Sequence, residues 1–124
     1  MIAASLKNYR VSPRKVRLVA RLIQGKSAIE ADYILVNAAK KAGEPIRELL
    51  ASATANARNN FSLEKDGLFV KEIRVDQGQV LKRHRPVSRG SAHPIKKRTS
   101  HVSIVLAPIE KKAAKNQKPK TNNR

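Results

Sequence analysis

The side chains best suited to catalysis or metal binding are few in this 124-residue chain. The three histidines are His84, His93 and His101, and the segment from 77 to 109 that contains them has no acidic residue. A cationic surrounding disfavours a metal ion, and no cysteine is present to complete a zinc site. We find no paired carboxylates, no nucleophile beside a base and no metal-ligand spacing. We therefore predict that the chain is not an enzyme and uses no metal or cofactor.

The large number of Lys and Arg residues, by contrast, does indicate a function. The chain has 27 Lys and Arg against 9 Asp and Glu, which gives a formal net charge of +18. Self-repulsion at this charge destabilises an isolated compact domain, whereas contacts with a phosphate backbone gain affinity because they release condensed counterions. The composition therefore predicts a nucleic acid as the partner.

The excess charge is confined to parts of the chain. Residues 1 to 29 carry seven cations and no acid, and residues 77 to 109 likewise carry seven and none. Residues 30 to 76 hold seven cations and eight acids, and residues 110 to 124 hold six and one. The middle is balanced like an ordinary soluble domain, so the binding regions are predicted on either side of it.

Two clusters within these regions are candidate contacts. Near the start of the first predicted helix, Ser12, Arg14 and Lys15 suit a phosphate, because a helix N-terminus adds free N–H groups and partial positive charge. A solvated helix face is the alternative interpretation of the stripe Arg14, Arg17 and Arg21. The second cluster is Lys82, Arg83, Arg85, Arg89, Lys96, Lys97 and Arg98. No acid is near it to form ion pairs, which favours nucleic-acid contact, and the histidines there would hydrogen-bond or stack on RNA unless they are merely exposed to solvent.

Three helices are predicted to support these clusters. Ser12 and Pro13 are typical of a helix start, and the first helix ends near Gly25, with Leu18 and Leu22 as a second buried strip beside its main apolar face. The second follows the cap residue Ser27, with an apolar stripe that includes Ala38, until Gly43 breaks it. The third restarts at Pro45 and continues to Phe61, which is expected in its apolar stripe.

Strand patterns occupy the remainder of the chain. Residues 2 to 11 could form a short strand, and residues 68 to 75 and about 99 to 107 have the composition of paired strands. The basic segment 77 to 98 between the last two is either a long disordered loop or a continuation of both strands as an arm, which we favour. About a dozen residues on each side would reach on the order of 40 Å. No apolar run is long enough to cross a membrane and no secretory signal is evident, so a cytoplasmic location is predicted.

Several ordered motifs carry a family resemblance. They are Ser12-Pro13-Arg14-Lys15-Val16-Arg17, Ala55-Asn56-Ala57, Asp76-Gln77-Gly78, Lys82-Arg83, Pro86, Gly90 and Ile95-Lys96-Lys97-Arg98-Thr99-Ser100-His101-Val102. Across about residues 5 to 107 the chain resembles the L twenty-two family of large-subunit ribosomal proteins, of the bacterial type. It departs from the family at Val87, where a basic residue is usual before the small residue and glycine, here Ser88 and Gly90.

The resemblance implies an α+β fold of three helices packed on a small antiparallel sheet. A single domain would cover residues 1 to 109, with an extended basic β-hairpin at about 76 to 101, followed by a disordered basic tail at 110 to 124. The implied function is a structural constituent of the large ribosomal subunit that binds rRNA and supports assembly. Its hairpin would line the nascent-peptide exit tunnel, while its globular part would lie near the tunnel exit of cytoplasmic ribosomes.

The two cationic clusters and the resemblance together predict which residues make contacts. The rRNA-binding set is Ser12, Arg14, Lys15, Arg17, Lys82, Arg83, Arg85, Arg89, Lys96, Lys97, Arg98, Thr99, Ser100 and His101. The tunnel-lining tip is Arg85, Pro86, Val87, Ser88, Arg89, Gly90, Ser91, Ala92 and His93. The implied partners are large-subunit rRNA, neighbouring ribosomal proteins including the L-four tunnel protein, and the transient nascent peptide, with no membrane and no homo-oligomer.

Two other classes of protein remain alternatives. A helical body with a basic, proline-bearing β-arm also suits an architectural protein that bends DNA in the minor groove, although such arms usually come from a dimer. An RNA-processing enzyme would have to use His84, His93 or His101. Monomeric behaviour would count against the first alternative, and activity that survives loss of these histidines would count against the second.

Overall fold

The structure, a computed structural model, describes residues 1–109 of the chain. The strands are β1 (Ile2–Tyr9), β2 (Leu68–Pro86) and β3 (Ala92–Pro108), and the α-helices are α1 (Pro13–Ile23), α2 (Ala28–Asn37) and α3 (Gly43–Phe61). The strands form one antiparallel sheet in the order β1-β3-β2. The predicted α+β fold of three helices and a small antiparallel sheet is confirmed. The predicted disordered tail at 110 to 124 lies outside the described residues.

The hydrophobic core lies between the helices and one face of the sheet. The helices bury residues at helical spacing and the strands bury alternate residues, as expected for elements with one face toward a core. Its fully enclosed side chains include Val16, Ile23, Ile46 and Leu50 from the helices and Leu68, Val70, Val102 and Ile104 from the strands. Ala53 and Ala57 of α3 are also fully buried, since small side chains let this helix approach β1 closely.

The prediction that α1 buries two apolar faces is wrong. Leu18 and Leu22 are 59% and 50% exposed, whereas Val16 and Ile23 on the other face are completely buried. A single layer of helices can press only one face of α1 against the sheet. Phe61, predicted in the apolar stripe of α3, is also exposed, at the last residue of that helix.

The boundaries of α2 and α3 differ slightly from those predicted. Ser27 caps α2 as expected, its hydroxyl oxygen accepting a hydrogen bond from the Glu30 N–H at 3.2 Å. The helix ends at Asn37, so Ala38 follows it rather than extending its apolar stripe. Helix α3 begins at Gly43, two residues before the predicted restart at Pro45. A Cβ at Gly43 would lie 3.2 Å from the Ala38 carbonyl oxygen, so glycine suits this position best.

Strands β2 and β3 remain paired far beyond the core, which resolves the alternative between a loop and an arm. The register continues to Pro86 opposite Ala92, and the Val87 N–H donates to the Ser91 carbonyl at 2.9 Å to close the turn. We refer to residues 77 to 101 as the arm. Residues 77 to 86 rise on the order of 30 Å, somewhat less than predicted, because the turn begins at Val87.

A cluster of side chains fixes the point where the arm leaves the sheet. The register of β2 against β3 shifts between Gln77 and Val80, and the Thr99 hydroxyl donates to the Gln79 carbonyl at 2.7 Å across this irregularity. A Cβ at Gly78 would overlap the Thr99 hydroxyl oxygen and lie 3.2 Å from the His101 ring. Glycine is therefore required at Gly78 for the two strands to keep this close approach.

Ionic contacts join α2 to α3 and to the turn that precedes β2. The Asp32 carboxylate of α2 accepts hydrogen bonds from Lys65 Nζ at 2.8 Å and from Arg47 Nε of α3 at 2.9 Å. These bonds, the Lys65 contact foremost, lower the pKa of Asp32. The folded state therefore gains stability from the ionised carboxylate above the unfolded Asp pKa of about 3.9 and loses it as the pH falls through the lowered folded value.

We expect Asp32→Asn to lower the free energy of unfolding by about 1 kcal/mol at pH 7, since exposed ion pairs contribute little individually but Asp32 has two partners. The difference from the parent should shrink as the pH is lowered from 7 to 2, because protonation progressively removes the charge of Asp32 from the parent. Urea unfolding at the two pH values measures it. Glu48→Gln is the control, because it removes an equal charge nearby at a site with no ion pair in the described residues. Equal losses for both variants would contradict the assignment.

We expect Gly78→Ala to destabilise the protein by about 1–3 kcal/mol, the usual range for an overpacked site. Thr99 is buried and its hydroxyl is bonded, so it cannot move aside without losing that bond. Thermal or urea unfolding measures the loss. Gly67→Ala is the matched control, because a Cβ there meets nothing within 4 Å, and an equally large effect at Gly67 would refute the steric explanation.

Candidate nucleic-acid interface

The start of α1 is held against the root of the arm by a hydrogen bond from β3. The Ser100 hydroxyl is fully buried and donates to the Val11 carbonyl, just before α1 begins. Strand β1 reaches this point through an irregularity between Leu6 and Tyr9, where Asn8 adopts a left-handed conformation with φ 57°. The two candidate clusters of the sequence are thereby brought side by side.

A cleft opens between the start of α1, the connection from α2 to α3 and the stem of the arm. Its volume is about 850 Å³. Its lining residues are Arg10, Val11, Ser12, Lys15, Leu18, Lys40, Lys41, Ala42, Leu81, Arg83, Lys96, Lys97, Arg98 and Thr99. We call it the cationic cleft, because eight of these residues are Lys or Arg and none is acidic.

The cations of the cleft have no acidic partners among residues 1–109. The salt bridges of this region are Lys26–Glu30, Arg47–Asp32, Arg47–Glu44, Lys65–Asp32 and Arg74–Glu72, all outside the cleft. Asp32, Glu44 and Glu48 line a separate depression with Arg47 and Lys65. The positive potential of the cleft is therefore not neutralised within this part of the chain, and an anion is the ligand it suits.

The stem of the arm places cations opposite each other. Lys82 of β2 pairs directly with Lys96 of β3. Like charges directly opposite on neighbouring strands destabilise a sheet. Both of these side chains are exposed, so the arm gains little from burial to offset the repulsion, and a surrounding polyanion would remove it.

The cationic cleft brings together six residues of the predicted RNA-binding set that are far apart in the sequence. They are Ser12, Lys15, Arg83, Lys96, Lys97 and Arg98. The side chain of Ser12 makes no capping hydrogen bond within the described chain, contrary to the expectation that it caps α1. Its hydroxyl is thus available to a ligand. Lys82, Arg85 and Arg89 are exposed farther along the arm.

Other residues of the predicted set make contacts inside the protein. Thr99 and Ser100 are buried and their hydroxyls donate to backbone carbonyls, so the structure gives them a role in positioning the arm rather than an exposed surface. His101 Nδ1 accepts the Asn8 N–H at 3.1 Å. Arg17 is partly engaged, donating to the Val75 carbonyl from Nη2 at 2.9 Å, while Arg14 is exposed outside the cleft.

The predicted tip is a compact turn. Residues 85 to 93 are exposed apart from Val87, which is half-buried. Arg89 and Gly90 both have positive φ, 58° and 72°, and Ser91 N–H donates to the Ser88 carbonyl at 3.3 Å. A non-glycine residue in this region carries local backbone strain, which the bonds closing the turn hold in place.

Part of the cleft is not evident from the sequence. Lys40 and Lys41 belong to the balanced middle of the chain, and Arg10 lies at the end of an uncertain strand pattern. The Tyr9 hydroxyl donates to the Lys41 carbonyl at 3.2 Å, which ties this connection to β1 beside the cleft. Burial raises the pKa of Tyr9, so the hydroxyl remains a donor at neutral pH. The adjacent lysines between two helices are the one signal that could have indicated the site.

Residues 1–109 contain neither a membrane-spanning helix nor a metal cluster. None of the helices they form is long and apolar enough to cross a bilayer. The same residues include no group of three or more His, Asp or Glu side chains placed to hold a metal ion.

Comparison with known proteins gives one consistent result. The family model described as "Ribosomal protein L22p/L17e" matches residues 4–107. The chain is 45% identical over 104 residues to large ribosomal subunit protein uL22 of Pediococcus pentosaceus, which covers 84% of this chain and 88% of that protein. It is 51% identical over 104 residues to uL22 of Deinococcus radiodurans, covering 84% and 78% of the two chains. For uL22 of Desulfitobacterium hafniense the identity is 50% over 103 residues, covering 83% and 89%.

The match covers most of β1, all three helices and the whole arm, and so includes every residue that lines the cleft. The resemblance carried by the sequence motifs is therefore confirmed at the level of the family. The chain belongs to the L22p/L17e family of ribosomal proteins, and as a member it is a structural constituent of the large ribosomal subunit rather than an enzyme.

Proposed function

We propose that this protein binds large-subunit rRNA through the cationic cleft and the arm, and that these contacts support assembly of the subunit. The observation that carries the proposal is the arm itself. Its two paired strands and the turn between them carry seven cations and no acid, with Lys82 directly opposite Lys96. A β-ribbon of this charge is strongly favoured where phosphates surround it on several sides.

The arm and the cleft act on RNA in different ways. Arginine forks of the arm bridge phosphates of converging RNA helices and stack on unpaired bases, while lysines act as point charges on the backbone. The cleft adds cations from three separate parts of the chain, so a single RNA segment bound there contacts the body and the arm together. Neutralising phosphates that would otherwise repel each other is the step by which the protein assists assembly.

We assign the tip of the arm to the wall of the nascent-peptide exit tunnel, near the L-four protein, with the body near the tunnel exit. Support comes from the family membership and from the length and exposure of the arm, whose tip lies on the order of 30 Å from its root. The half-buried Val87 gives this tip an apolar residue where the family usually has a basic one. No observation on residues 1–109 favours DNA bending or RNA processing over this assignment.

Replacing Lys96, Lys97 and Arg98 together with glutamine should weaken rRNA binding substantially and reduce its salt dependence. The slope of log K against log salt falls by about 1 for each phosphate that the variant no longer neutralises. Filter binding to large-subunit rRNA over a range of salt measures both effects. Removing residues 111 to 124 should cost less affinity, although it removes more charge.

The matched control is glutamine at Arg58, Lys71 and Arg74, which removes the same charge from the body outside the cleft. This variant should bind nearly as well as the parent. Equal losses for the two triple variants would show that overall charge, and not the cleft and arm, determines binding.

The tunnel assignment predicts contact between the tip and the growing peptide. The chain has no cysteine, so Ser91→Cys at the exposed tip introduces a unique thiol. In assembled ribosomes this thiol should crosslink to a nascent peptide that carries a single cysteine at a suitable distance from its growing end. Ser52→Cys, exposed on α3 of the body, is the control and should not crosslink to peptide still inside the tunnel. Crosslinking from Ser52 but not from Ser91 would reverse the assigned orientation.

A further inference from the structure

Apolar side chains also line the cationic cleft. Leu18, Leu81, Val11 and Ala42 line it alongside the lysines and arginines. Leu18 is 59% exposed and Leu81 is half-buried, so both have apolar surface open to solvent. An exposed apolar area surrounded by charge indicates a binding site, because such surface gains free energy only when a ligand covers it.

The backbone of an RNA duplex would not cover this apolar surface. A paired helix presents phosphates and riboses on its outside and keeps its bases stacked within. Phosphates would contact the surrounding cations but would leave the two leucines against a charged and hydrated surface. An unpaired base has two apolar faces and an attached phosphate, and so offers both kinds of contact in one unit.

The dimensions of the cleft suit such a ligand. Its volume of about 850 Å³ lies in the range of about 300–1,000 Å³ typical of pockets that enclose an organic ligand. It is bounded on one side by α1 and on the other by the arm, so a base entering it contacts Leu18 from one side and Leu81 from the other.

We propose that the cationic cleft receives an unpaired nucleotide extruded from folded RNA, with its base between Leu18 and Leu81 and its phosphates on the surrounding cations. This proposal rests on the proposed function, because it names the RNA element that the cleft takes. Leu81 and Arg83 lie two residues apart in β2 and so on the same face, which lets the Arg83 guanidinium reach the base or its phosphate.

The lining residues also indicate how selective the cleft is. The cleft has no Asn, Gln, Asp or Glu to read the edge of adenine or cytosine, and of its two hydroxyl groups that of Thr99 already donates to the Gln79 carbonyl. Its arginines and lysines are the side chains that pair with the O6 and N7 edge of guanine. We therefore expect the cleft to accept any base through apolar contact and charge, with guanine as the one base whose edge its cations can also contact.

The test compares two RNA hairpins of equal length, one with a single-nucleotide bulge and one fully paired, using the full chain. The bulged nucleotide is 2-aminopurine, whose fluorescence reports its environment. We expect the parent to bind the bulged RNA about tenfold more tightly, because the base covers apolar surface of both leucines that the paired hairpin leaves exposed. The fluorescence should change on binding.

Leu18→Ser should abolish this preference while leaving the affinity for the paired hairpin unchanged. Leu22→Ser is the matched control, because Leu22 is 50% exposed one turn along the same helix but does not line the cleft. It should behave like the parent. Both leucines are exposed, so neither change is expected to unfold the protein, and urea unfolding verifies this.

Equal affinity for the two hairpins, unaltered by Leu18→Ser, would overturn the nucleotide proposal. If replacing Lys96, Lys97 and Arg98 with glutamine still weakened binding to both hairpins, the proposal of RNA binding through the cleft and arm would remain supported. Failure of the parent to bind either RNA at low salt would overturn the proposed function as well. A further experiment assembles the Leu18→Cys variant into large subunits and crosslinks its thiol to whatever lies next to it. A crosslink to a protein instead of RNA would also refute the proposal, because another chain would then cover the leucines.

Discussion

The pairing of β3 on both of its edges is the interaction on which the rest of the structure depends. Over its C-terminal half it pairs with β1 and β2 together and buries Val102, Ile104 and Leu106 beneath the helices. Over its N-terminal half it pairs with β2 alone and carries the cations of the arm. Because one continuous strand serves both parts, the core anchors the arm directly, without a flexible joint between them.

The separation of charge follows from this arrangement. Within the body, residues 30 to 76 have nearly equal numbers of acids and bases, and several of these are paired, as around Asp32. The arm has no core of its own and places Lys82 opposite Lys96, so its folded form is stabilised from the root and from whatever surrounds it. In a constituent of the large ribosomal subunit that surrounding is rich in phosphate, which turns repulsion within the arm into attraction toward RNA.

Polar residues at the root of the arm contribute by fixing geometry. Thr99 and Ser100 are buried, and their hydroxyls donate to carbonyls of Gln79 and Val11. The first bond holds the strand irregularity beside Gly78, and the second holds the segment that leads into α1. Together they place Lys15 and the stem cations around one cleft, which neither the helix nor the arm would form alone.

The sequence by itself determined the elements and the sign of the charge, because these depend on local spacing and composition. The capping residue Ser27, the apolar face of α1 and the acid-free segment 77 to 109 are all readable from neighbouring residues. Only the tertiary structure decided that Leu18 is exposed while Ser100 is buried, and that Lys40 and Lys41 face the stem of the arm. These outcomes depend on which surfaces meet across long stretches of chain: a single helix layer leaves one face of α1 uncovered, and the register of β3 brings residues far apart in sequence to the same cleft.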